Sequence, residues 1–391
     1  MKYNFDKVID RSGTSAEKVE GLKHIWGRTD LIPLWVADMD FATAPFVTDA
    51  IRKRCENEVL GYTGKPDSYY NAIINWVKQR YDLIVTKEVI NFVPGIVPGI
   101  GMAMNCFTQK GDKVMIQPPV YHPFAWVTTR NERTLVINPL RWENGMYRMD
   151  LDAFREQIKG CKLFILCNPH NPGGVVWTEA ELRAIADICY DEKVLVFSDE
   201  IHADLTLPPH THRPFATVSE KARMNSVTFM SPSKAFNMPG LSASHALIFN
   251  EDLRKRFRIY MDAGELDMGY VFAFLSVEAA YSHGTEWLDQ CLAYIQGNID
   301  FVDEFLKKHA PKIKAIRPEA SYLVWLDCRE LELSQKDLNE FFVDKAHLAL
   351  NDGEMFGKEG IGFMRLNVAS PRCIIEKAMK QLADAYQLYI K

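Results

Sequence analysis

Two stretches in the middle of the chain decide the fold: Leu163-Phe164-Ile165-Leu166-Cys167-Asn168-Pro169-His170-Asn171-Pro172-Gly173-Gly174 and, further on, Val194-Leu195-Val196-Phe197-Ser198-Asp199-Glu200. Each begins with a short apolar run that is typical of a buried strand. Between them, Thr178 and Glu181 have the spacing of a helix capping box. The residues that then share one helical face are Leu182, Ile185, Ala186 and Cys189. Strand, helix and strand over this length predict a βαβ unit and a parallel sheet.

Comparable apolar runs add strands to this sheet at Lys113–Gln117, Ser226–Met230 and Ala246–Phe249. The C-terminal part has predicted helices at Glu286–Lys308, Gln335–Ala346 and Ile374–Leu388 and predicted strands at Ser321–Leu326 and Phe363–Asn367. The chain therefore predicts an α/β fold with a mainly parallel sheet and a second, smaller α+β domain. We expect a large domain at 46–285 and a small domain that combines 1–45 with 286–391.

Composition excludes several classes of protein. The chain has 391 residues, 47% of them hydrophobic and 25% charged, which is ordinary for a soluble enzyme of two domains. A net charge of -5 gives no basic footprint for nucleic acid or an anionic membrane. The uncharged stretch 89–109 is broken by prolines and glycines, so it predicts a strand, a turn and a helix and not a membrane span.

The cysteines and the N-terminus predict a cytoplasmic protein. None of the eight cysteines has C-x-x-C spacing, and several lie in apolar runs, as buried free thiols do. The first ten residues lack the apolar core of a signal peptide. A reducing compartment is the simplest interpretation.

Chemically useful residues follow the predicted strands, and ligands of open α/β sheets bind at the carboxyl ends of strands. Ile96 and Val97 follow Gly95 at the start of a predicted helix, where backbone N–H groups can bind phosphate, although a plain turn is the alternative. Tyr121 follows the strand at Lys113–Gln117 and could present its face to a flat ring, or be a half-buried loop tyrosine. Asn171 could bond a phenolic oxygen and a carboxylate, or belong to a simple turn.

Two further strand ends carry ionisable groups. Asp199 could pair with a protonated ring nitrogen, because a carboxylate there is costly unless paired, although a helix N-cap is the alternative. His202, three residues on, could contact the same ligand. Lys234 stands in Ser231-Pro232-Ser233-Lys234 after a buried strand, among small and apolar residues that favour a lowered pKa and imine formation. The alternative is a solvated surface lysine.

Four ordered motifs resemble the class I/II pyridoxal-phosphate aminotransferase family. They are Asn168-Pro169-His170-Asn171-Pro172-Gly173-Gly174, Ser198-Asp199-Glu200, Ser231-Pro232-Ser233-Lys234 and Met364-Arg365-Leu366-Asn367. The match runs from about residue 30 to the end of the chain. The resemblance implies the aspartate-aminotransferase-like fold (fold type I) and pyridoxal 5'-phosphate as the cofactor.

The resemblance also implies a role for each residue. Lys234 is the Schiff-base lysine and general acid/base, Asp199 the partner of the pyridine nitrogen, and Tyr121 the stacking aromatic. Asn171 donates to the phenolic oxygen. Arg365 binds the substrate α-carboxylate, with Asn171 and Ala37 also contacting substrate. The phosphate cup is formed by Ile96, Val97, Ser231 and Ser233. Tyr62 reaches the phosphate of the neighbouring subunit, which implies a homodimer with shared active sites.

Two departures from the family pattern point to one branch of it. Ser242 stands where many members have a phosphate-binding arginine, and His202 replaces a tyrosine beside the cofactor. Both departures, and the opening Leu34-Trp35-Val36-Ala37-Asp38-Met39-Asp40-Phe41, are similar to the cystathionine β-lyase (MalY/PatB-type) branch. This implies a C–S β-lyase that cleaves L-cystathionine or a related L-cysteine conjugate to a thiol, pyruvate and ammonia.

Other functions stay open at this point. An aminotransferase that uses an amino acid and a 2-oxo acid is the main alternative, and a regulatory binding protein that retains the cofactor is another. A dinucleotide site is disfavoured because Met104 occupies the third glycine position after Gly99 and Gly101. His210 and His212 could bind a metal, but they lie in a proline-flanked loop, so we expect both to be exposed and predict no metal site.

Overall fold

The helices and strands alternate through the middle of the chain. In the computed structural model, which describes residues 1–389, the strands are β1 (Ile32–Pro33), β2 (Ile90–Val93), β3 (Lys113–Ile116), β4 (Thr134–Ile137), β5 (Arg141–Glu143), β6 (Met146–Arg148), β7 (Cys161–Cys167), β8 (Leu195–Asp199), β9 (Ser226–Met230), β10 (Ser244–Leu247), β11 (Lys314–Ile316), β12 (Leu323–Asp327), β13 (Leu348–Ala349), β14 (Asn351–Asp352) and β15 (Phe363–Asn367).

The α-helices are α1 (Glu17–Trp26), α2 (Pro45–Cys55), α3 (Asp67–Tyr81), α4 (Ile96–Phe107), α5 (Pro123–Arg130), α6 (Leu151–Gln157), α7 (Glu179–Asp191), α8 (Glu220–Met224), α9 (Glu251–Ala263), α10 (Val271–His283), α11 (Thr285–His309), α12 (Gln335–Glu340) and α13 (Arg372–Tyr389).

A seven-stranded sheet carries the site. Its order is β2-β10-β9-β8-β7-β3-β4. Strands β4, β3, β7, β8 and β9 are parallel to one another, whereas β10 runs antiparallel to both β9 and β2. The prediction of an α/β fold with a mainly parallel sheet is therefore confirmed.

The predicted βαβ unit is β7–α7–β8. The Thr178 hydroxyl accepts a hydrogen bond from the Glu181 N–H at 3.2 Å, and the Glu181 carboxylate accepts one from the Thr178 N–H at 2.8 Å, so the capping box is confirmed. The predicted apolar face of α7 is buried: Leu182, Ile185, Ala186 and Cys189. This face packs in one buried cluster with side chains of β7 and β8, among them Phe164 and Val196.

A second, antiparallel sheet lies in the C-terminal part, with the order β11-β12-β15-β14. The N-terminal segment joins this part, because β1 pairs in parallel with β13 through Ile32 and Leu348. The predicted domain boundaries at residues 46 and 285 stay a prediction. The last two residues of the predicted small domain, Ile390 and Lys391, lie outside the described residues.

Several predicted element boundaries were wrong. The strand predicted at Ala246–Phe249 is Ser244–Leu247, because the buried strand begins with the polar residues Ser244 and His245, which the apolar pattern excluded. The helix predicted to reach Ala346 ends at Glu340 and continues as one wide π-turn, which accompanies burial of both Phe341 and Phe342. Within residues 1–389, no helix is long and apolar enough to cross a bilayer.

We expect Thr178→Ala to destabilise the protein modestly. The change removes the hydroxyl that accepts from the Glu181 N–H, and loss of such a cap costs about 1 kcal/mol. The melting temperature should fall by about 1–3 °C, measured by thermal denaturation. Thr178→Ser, which retains the hydroxyl, serves as the control; equal losses for both variants would contradict the capping argument.

Candidate active site

A cavity of about 210 Å³ opens at the carboxyl ends of the parallel strands. Its wall combines the ends of β7, β8 and β9, the start of α4 and the N-terminal segment at Ala37. The structure brings most of the predicted site residues to this wall: Ala37, Ile96, Val97, Tyr121, Asn171, Asp199, His202, Ser233 and Lys234.

Lys234 places its amine inside the cavity. Nζ donates a hydrogen bond to the Ala37 carbonyl oxygen at 2.5 Å. Loss of hydration lowers the pKa of this amine to about 8, against the opposing attraction of Asp38 and Asp199. The alternative of a solvated surface lysine does not hold, and a substantial fraction of the amine is neutral near pH 8, as a nucleophile or base requires.

Asp199 is the last residue of β8 and is buried. Desolvation raises the pKa of its carboxyl to about 7, although the Ile201 N–H, which donates to Oδ1 at 3.0 Å, opposes the shift. A cationic partner in the cavity would offset the cost of this buried charge. The N-cap alternative does not hold, because Asp199 belongs to the strand.

His202 is buried one turn beyond Asp199. Desolvation lowers the pKa of its ring to about 3, and the charges of Lys234 and Arg365 act in the same direction. The ring is therefore neutral at physiological pH. Its Nδ1 has no hydrogen-bond partner among residues 1–389 and is available to a ligand.

Asn171 and Arg365 form a pair beside the cavity. The Arg365 guanidinium donates to Asn171 Oδ1 at 3.1 Å, which leaves the Asn171 amide nitrogen to donate to a ligand. Arg365 also donates to Asn351 Oδ1 at 2.5 Å and to the Trp35 carbonyl at 3.1 Å. Its guanidinium lies over the ring of Phe356, 4.8 Å from the ring centroid. Arg365 is buried, and its Nε has no partner in the described part of the chain. This arrangement suits a carboxylate.

The start of α4 forms the anion-binding end of the cavity. Ile96 and Val97 are the first residues of this helix, so their N–H groups have no partners within it and can face an anion. Ser233 lines the same end. Ser231 does not: its hydroxyl donates to the Ala243 carbonyl at 2.7 Å and accepts from the Ser233 N–H at 3.1 Å.

The two predicted tyrosines differ in position. Tyr121 is partly buried and lines the cavity, where its ring can cover a flat ligand. Tyr62 is 99% exposed and is not brought to the cavity of its own chain. Its predicted contact with a neighbouring subunit stays a prediction.

The residues present suit pyridoxal phosphate. The cavity offers an enclosed amine, a buried carboxyl that forms no ion pair within residues 1–389, a free amide donor and a helix N-terminus. These match, respectively, an aldehyde carbon, a ring nitrogen, a phenolic oxygen and a phosphate.

Sequence reasoning missed the residues that support this wall. Tyr322 donates its hydroxyl to the Ala37 carbonyl at 2.9 Å, and Asn367 donates to the carbonyls of Val36 and Asp38, both at 2.7 Å. Asn367 lies in a quoted motif and could have been found from it. Tyr322 and Asn351 had no sequence signal.

The expectation that both loop histidines are exposed was wrong for His212. Its ring is buried and lies 2.8 Å from Glu200, which also accepts from the Ser198 hydroxyl. Glu200 is buried and therefore needs hydrogen-bond partners, and the sequence did not show that His212 is one of them. His210 is exposed. Among the described residues there is no cluster of three or more potential metal ligands from His, Cys, Asp and Glu.

Comparison with known proteins agrees with this geometry. The model of the family "Aminotransferase class I and II" matches residues 29–382. The chain belongs to this family. One relative is cystathionine beta-lyase PatB of Bacillus subtilis. It is 38% identical to this chain over 384 residues, which cover 98% of this chain and 99% of that protein.

Solved structures of family relatives superpose closely. Cystalysin from Treponema denticola, which contains a pyridoxal 5'-phosphate cofactor, has a TM-score of 0.96 at 33% identity, covering 100% of both chains. The pyridoxal-phosphate-bound C–S lyase from Staphylococcus hominis has a TM-score of 0.91 at 35% identity, covering 98% of each chain. The aspartate-aminotransferase-like fold is therefore confirmed.

We expect Asp199→Asn to change how the stability of the cofactor-free protein depends on pH. The folded state raises the pKa of Asp199 from 3.8 to about 7, so this group's contribution is fully present below about pH 4 and is lost as pH rises towards 7. Asparagine does not titrate. The variant should therefore gain stability relative to the natural chain with rising pH, by roughly 4 kcal/mol.

Thermal denaturation of both proteins between pH 4 and pH 8 measures this difference. The exposed Asp152, changed to asparagine, is the control and should show no such trend. A difference between Asp199→Asn and the natural chain that stays constant over this range would contradict the raised pKa.

Proposed function

We propose that this protein is a pyridoxal-phosphate-dependent C–S β-lyase that cleaves L-cystathionine or a related L-cysteine conjugate to a thiol, pyruvate and ammonia. The observation that carries the proposal is the cavity in which the enclosed amine of Lys234 lies with the buried Asp199 and the Arg365–Asn171 pair beside it. Relatives named cystathionine beta-lyase and C–S lyase support this reaction over others of the family.

Each side chain has a task in this reaction. Bound pyridoxal phosphate supplies a ring that accepts the electron pair left on the substrate α-carbon when its proton is removed. Lys234 carries the cofactor covalently, and its released amine accepts the α-proton. Asp199 holds a proton on the ring nitrogen. Arg365 binds the α-carboxylate and thereby orients the Cα–H bond towards Lys234.

Neighbouring groups complete the binding of the cofactor. Asn171 would donate its free amide N–H to the phenolic oxygen, and neutral His202, whose Nδ1 has no partner among residues 1–389, would face the ring. Tyr121 would cover one ring face. The N–H groups of Ile96 and Val97, with Ser233, would bind the phosphate. When a thiolate leaves the β-carbon with the electron pair of the C–S bond, water hydrolyses the remaining three-carbon imine to pyruvate and ammonia, so a 2-oxo acid is not required.

The active form that we propose is a homodimer with shared sites. Exposed apolar side chains occur at Val59, Leu60 and Tyr62 and again at Met268 and Tyr270. An ion pair between Lys65 and Asp267 joins these two segments, and Tyr270 donates to the Leu241 carbonyl beside the cavity residue Ser242. A second copy that covers this apolar surface would bring its Tyr62 to the phosphate.

The proposal also covers domain organisation and location. The large domain spans 46–285, the small domain combines 1–45 and 286–391, and the amino-acid substrate binds between them. All eight cysteines are free thiols, six of them at least partly buried, which suits the cytoplasm.

An aminotransferase is the second candidate, because the same lysine, aspartate and arginine serve both reactions and the family description names that activity. The decisive experiment incubates purified holoenzyme with L-cystathionine and measures pyruvate, with a 2-oxo acid added in a parallel arm. We expect pyruvate in both arms and no dependence on the 2-oxo acid. Lys234→Ala should release none. Absence of pyruvate together with steady amino transfer to the 2-oxo acid would establish the aminotransferase instead.

We expect Arg365→Ala to raise KM for L-cystathionine by roughly 10–150-fold, since a hydrogen bond to a charged group contributes about 1.5–3 kcal/mol. The turnover rate should fall as well, because the α-proton loses its orientation. Steady-state kinetics measure both constants. Arg329→Ala is the matched control: Arg329 pairs with Asp327 at the end of β12, outside the cavity wall. An unchanged KM for Arg365→Ala would mean that the carboxylate binds elsewhere.

A further inference from the structure

A group of four charged side chains, of which Lys18 is fully buried and the other three are partly buried, lies behind Ala37. Lys18, on α1, is fully buried, and its Nζ lies 2.8 Å from Asp40 Oδ2 and 3.6 Å from Asp38 Oδ1. The Arg11 guanidinium donates to Asp38 Oδ2 at 2.6 Å and to Asp40 Oδ1 at 3.1 Å. Two cations thus neutralise two carboxylates. We call these four residues the Lys18 cluster.

Stability alone is a weak reason for this cluster. Lys18 loses its hydration entirely and the other three charges lose most of theirs, and the desolvation cost of a buried ion pair often equals or exceeds the attraction between its members. Apolar side chains of similar volume would serve packing at least as well. The cluster does fix the position of the backbone at Asp38, because Lys18 Nζ also donates to the Asp38 carbonyl at 3.3 Å.

The backbone that it holds is the segment that receives Lys234. Ala37 O accepts from Lys234 Nζ, while the carbonyls on both sides of it accept from Asn367. Asn237, three residues after Lys234, donates to the carbonyls of Met39 and Phe41 and accepts from the Met39 N–H at 3.0 Å. The segment therefore connects the cluster on one side with the lysine loop on the other.

The cluster also controls the charge near the lysine. Asp38 belongs to the cluster and acts electrostatically on Lys234. The other ionisable groups that face this amine are Asp199 and His202 at the end of β8, Arg365 on β15 and Tyr322 at the start of β12. Lys18 and Arg11 balance the two carboxylates, so the cluster as a whole is neutral and the two cations offset part of the attraction that Asp38 exerts on Lys234. Loss of either cation would leave one carboxylate uncompensated beside the site.

We propose that Lys18 and Arg11 are positioning residues: they hold the Ala37 carbonyl at the amine of Lys234 and keep the 38–40 segment electrically neutral, so that this amine stays reactive near neutral pH. Lys18 and Arg11 have no part in the roles proposed above, because neither residue lines the cavity. The inference rests on the proposed function, because it concerns the lysine that carries the cofactor.

The test titrates the visible absorbance of the cofactor carried by Lys234 in the purified holoenzyme, because this band responds to protonation of the lysine nitrogen. The variants are Lys18→Met, Arg11→Met and the double variant Lys18→Met with Asp40→Asn. Removing one cation leaves excess negative charge, which favours the protonated nitrogen. Each single variant should therefore titrate at a pH higher by about 0.5–1 unit. The double variant, which restores neutrality, should return to the value of the natural protein.

Arg28→Met is the matched control, because Arg28 also pairs with two aspartates, Asp30 and Asp344, but lies away from the 36–41 segment. It should titrate as the natural protein does. Thermal denaturation of each variant separates folding from electrostatics. Should Lys18→Met fail to fold, Arg11→Met decides, since the Arg11 side chain is 22% exposed.

Two results would overturn the inference: single variants that fold and titrate like the natural protein, or a double variant that titrates like Lys18→Met. In both cases the Lys234 absorbance would still show that Lys234 carries the cofactor, so this part of the proposed function would stand. Natural protein that takes up pyridoxal phosphate without any lysine-bound absorbance would overturn the proposed function and this inference together.

Discussion

The hydrogen-bonded register between parallel strands is the constraint on which the site depends. Cys167 of β7 pairs with Asp199 of β8, and Asp199 pairs with Phe229 of β9. Because the strands end level with one another, the turns that follow them bring Asn171, His202 and Lys234 to the same edge of the sheet. A slip of one residue in β8 would turn Asp199 to the opposite face. The chemistry of the cavity therefore depends on the backbone pairing of these three strands.

Burial then gives the two central ionisable groups unusual properties. Desolvation moves the pKa of Lys234 down to about 8 and that of Asp199 up to about 7, so burial favours the uncharged form of each group. The two pKa values move in opposite directions because Lys234 is charged when protonated, whereas Asp199 is charged when deprotonated. A cationic ring nitrogen bound against Asp199 would restore its charged form, so ligand binding and the state of this carboxyl depend on each other.

The sequence predicted those features that depend on neighbouring residues along the chain. The capping box at Thr178 and the strand ends that carry Asp199 and Lys234 follow from local patterns, and the ordered motifs gave the family. Contacts between distant segments could not be predicted in this way. Tyr322 at the Ala37 carbonyl, Asn351 at Arg365 and buried His212 at Glu200 each join residues whose proximity depends on tertiary packing. Strand β10 was misplaced because its polar residues are buried by sheet pairing, which an apolar pattern does not register.

The antiparallel direction of β10 has a consequence for how Lys234 moves. The segment from Ser231 to Ala243 leaves the sheet at the end of β9 and returns at the adjacent start of β10. A hydrogen bond from the Ser231 hydroxyl to the Ala243 carbonyl joins the two ends of this segment. The lysine is thus mounted on a closed loop with both ends fixed to the same sheet edge. With both ends of the loop held at the sheet, we expect the side chain of Lys234 to move more readily than its Cα. In the proposed reaction, the tethered amine can therefore leave its bond to the cofactor and return to it without diffusing away, as a group that acts twice in every cycle must.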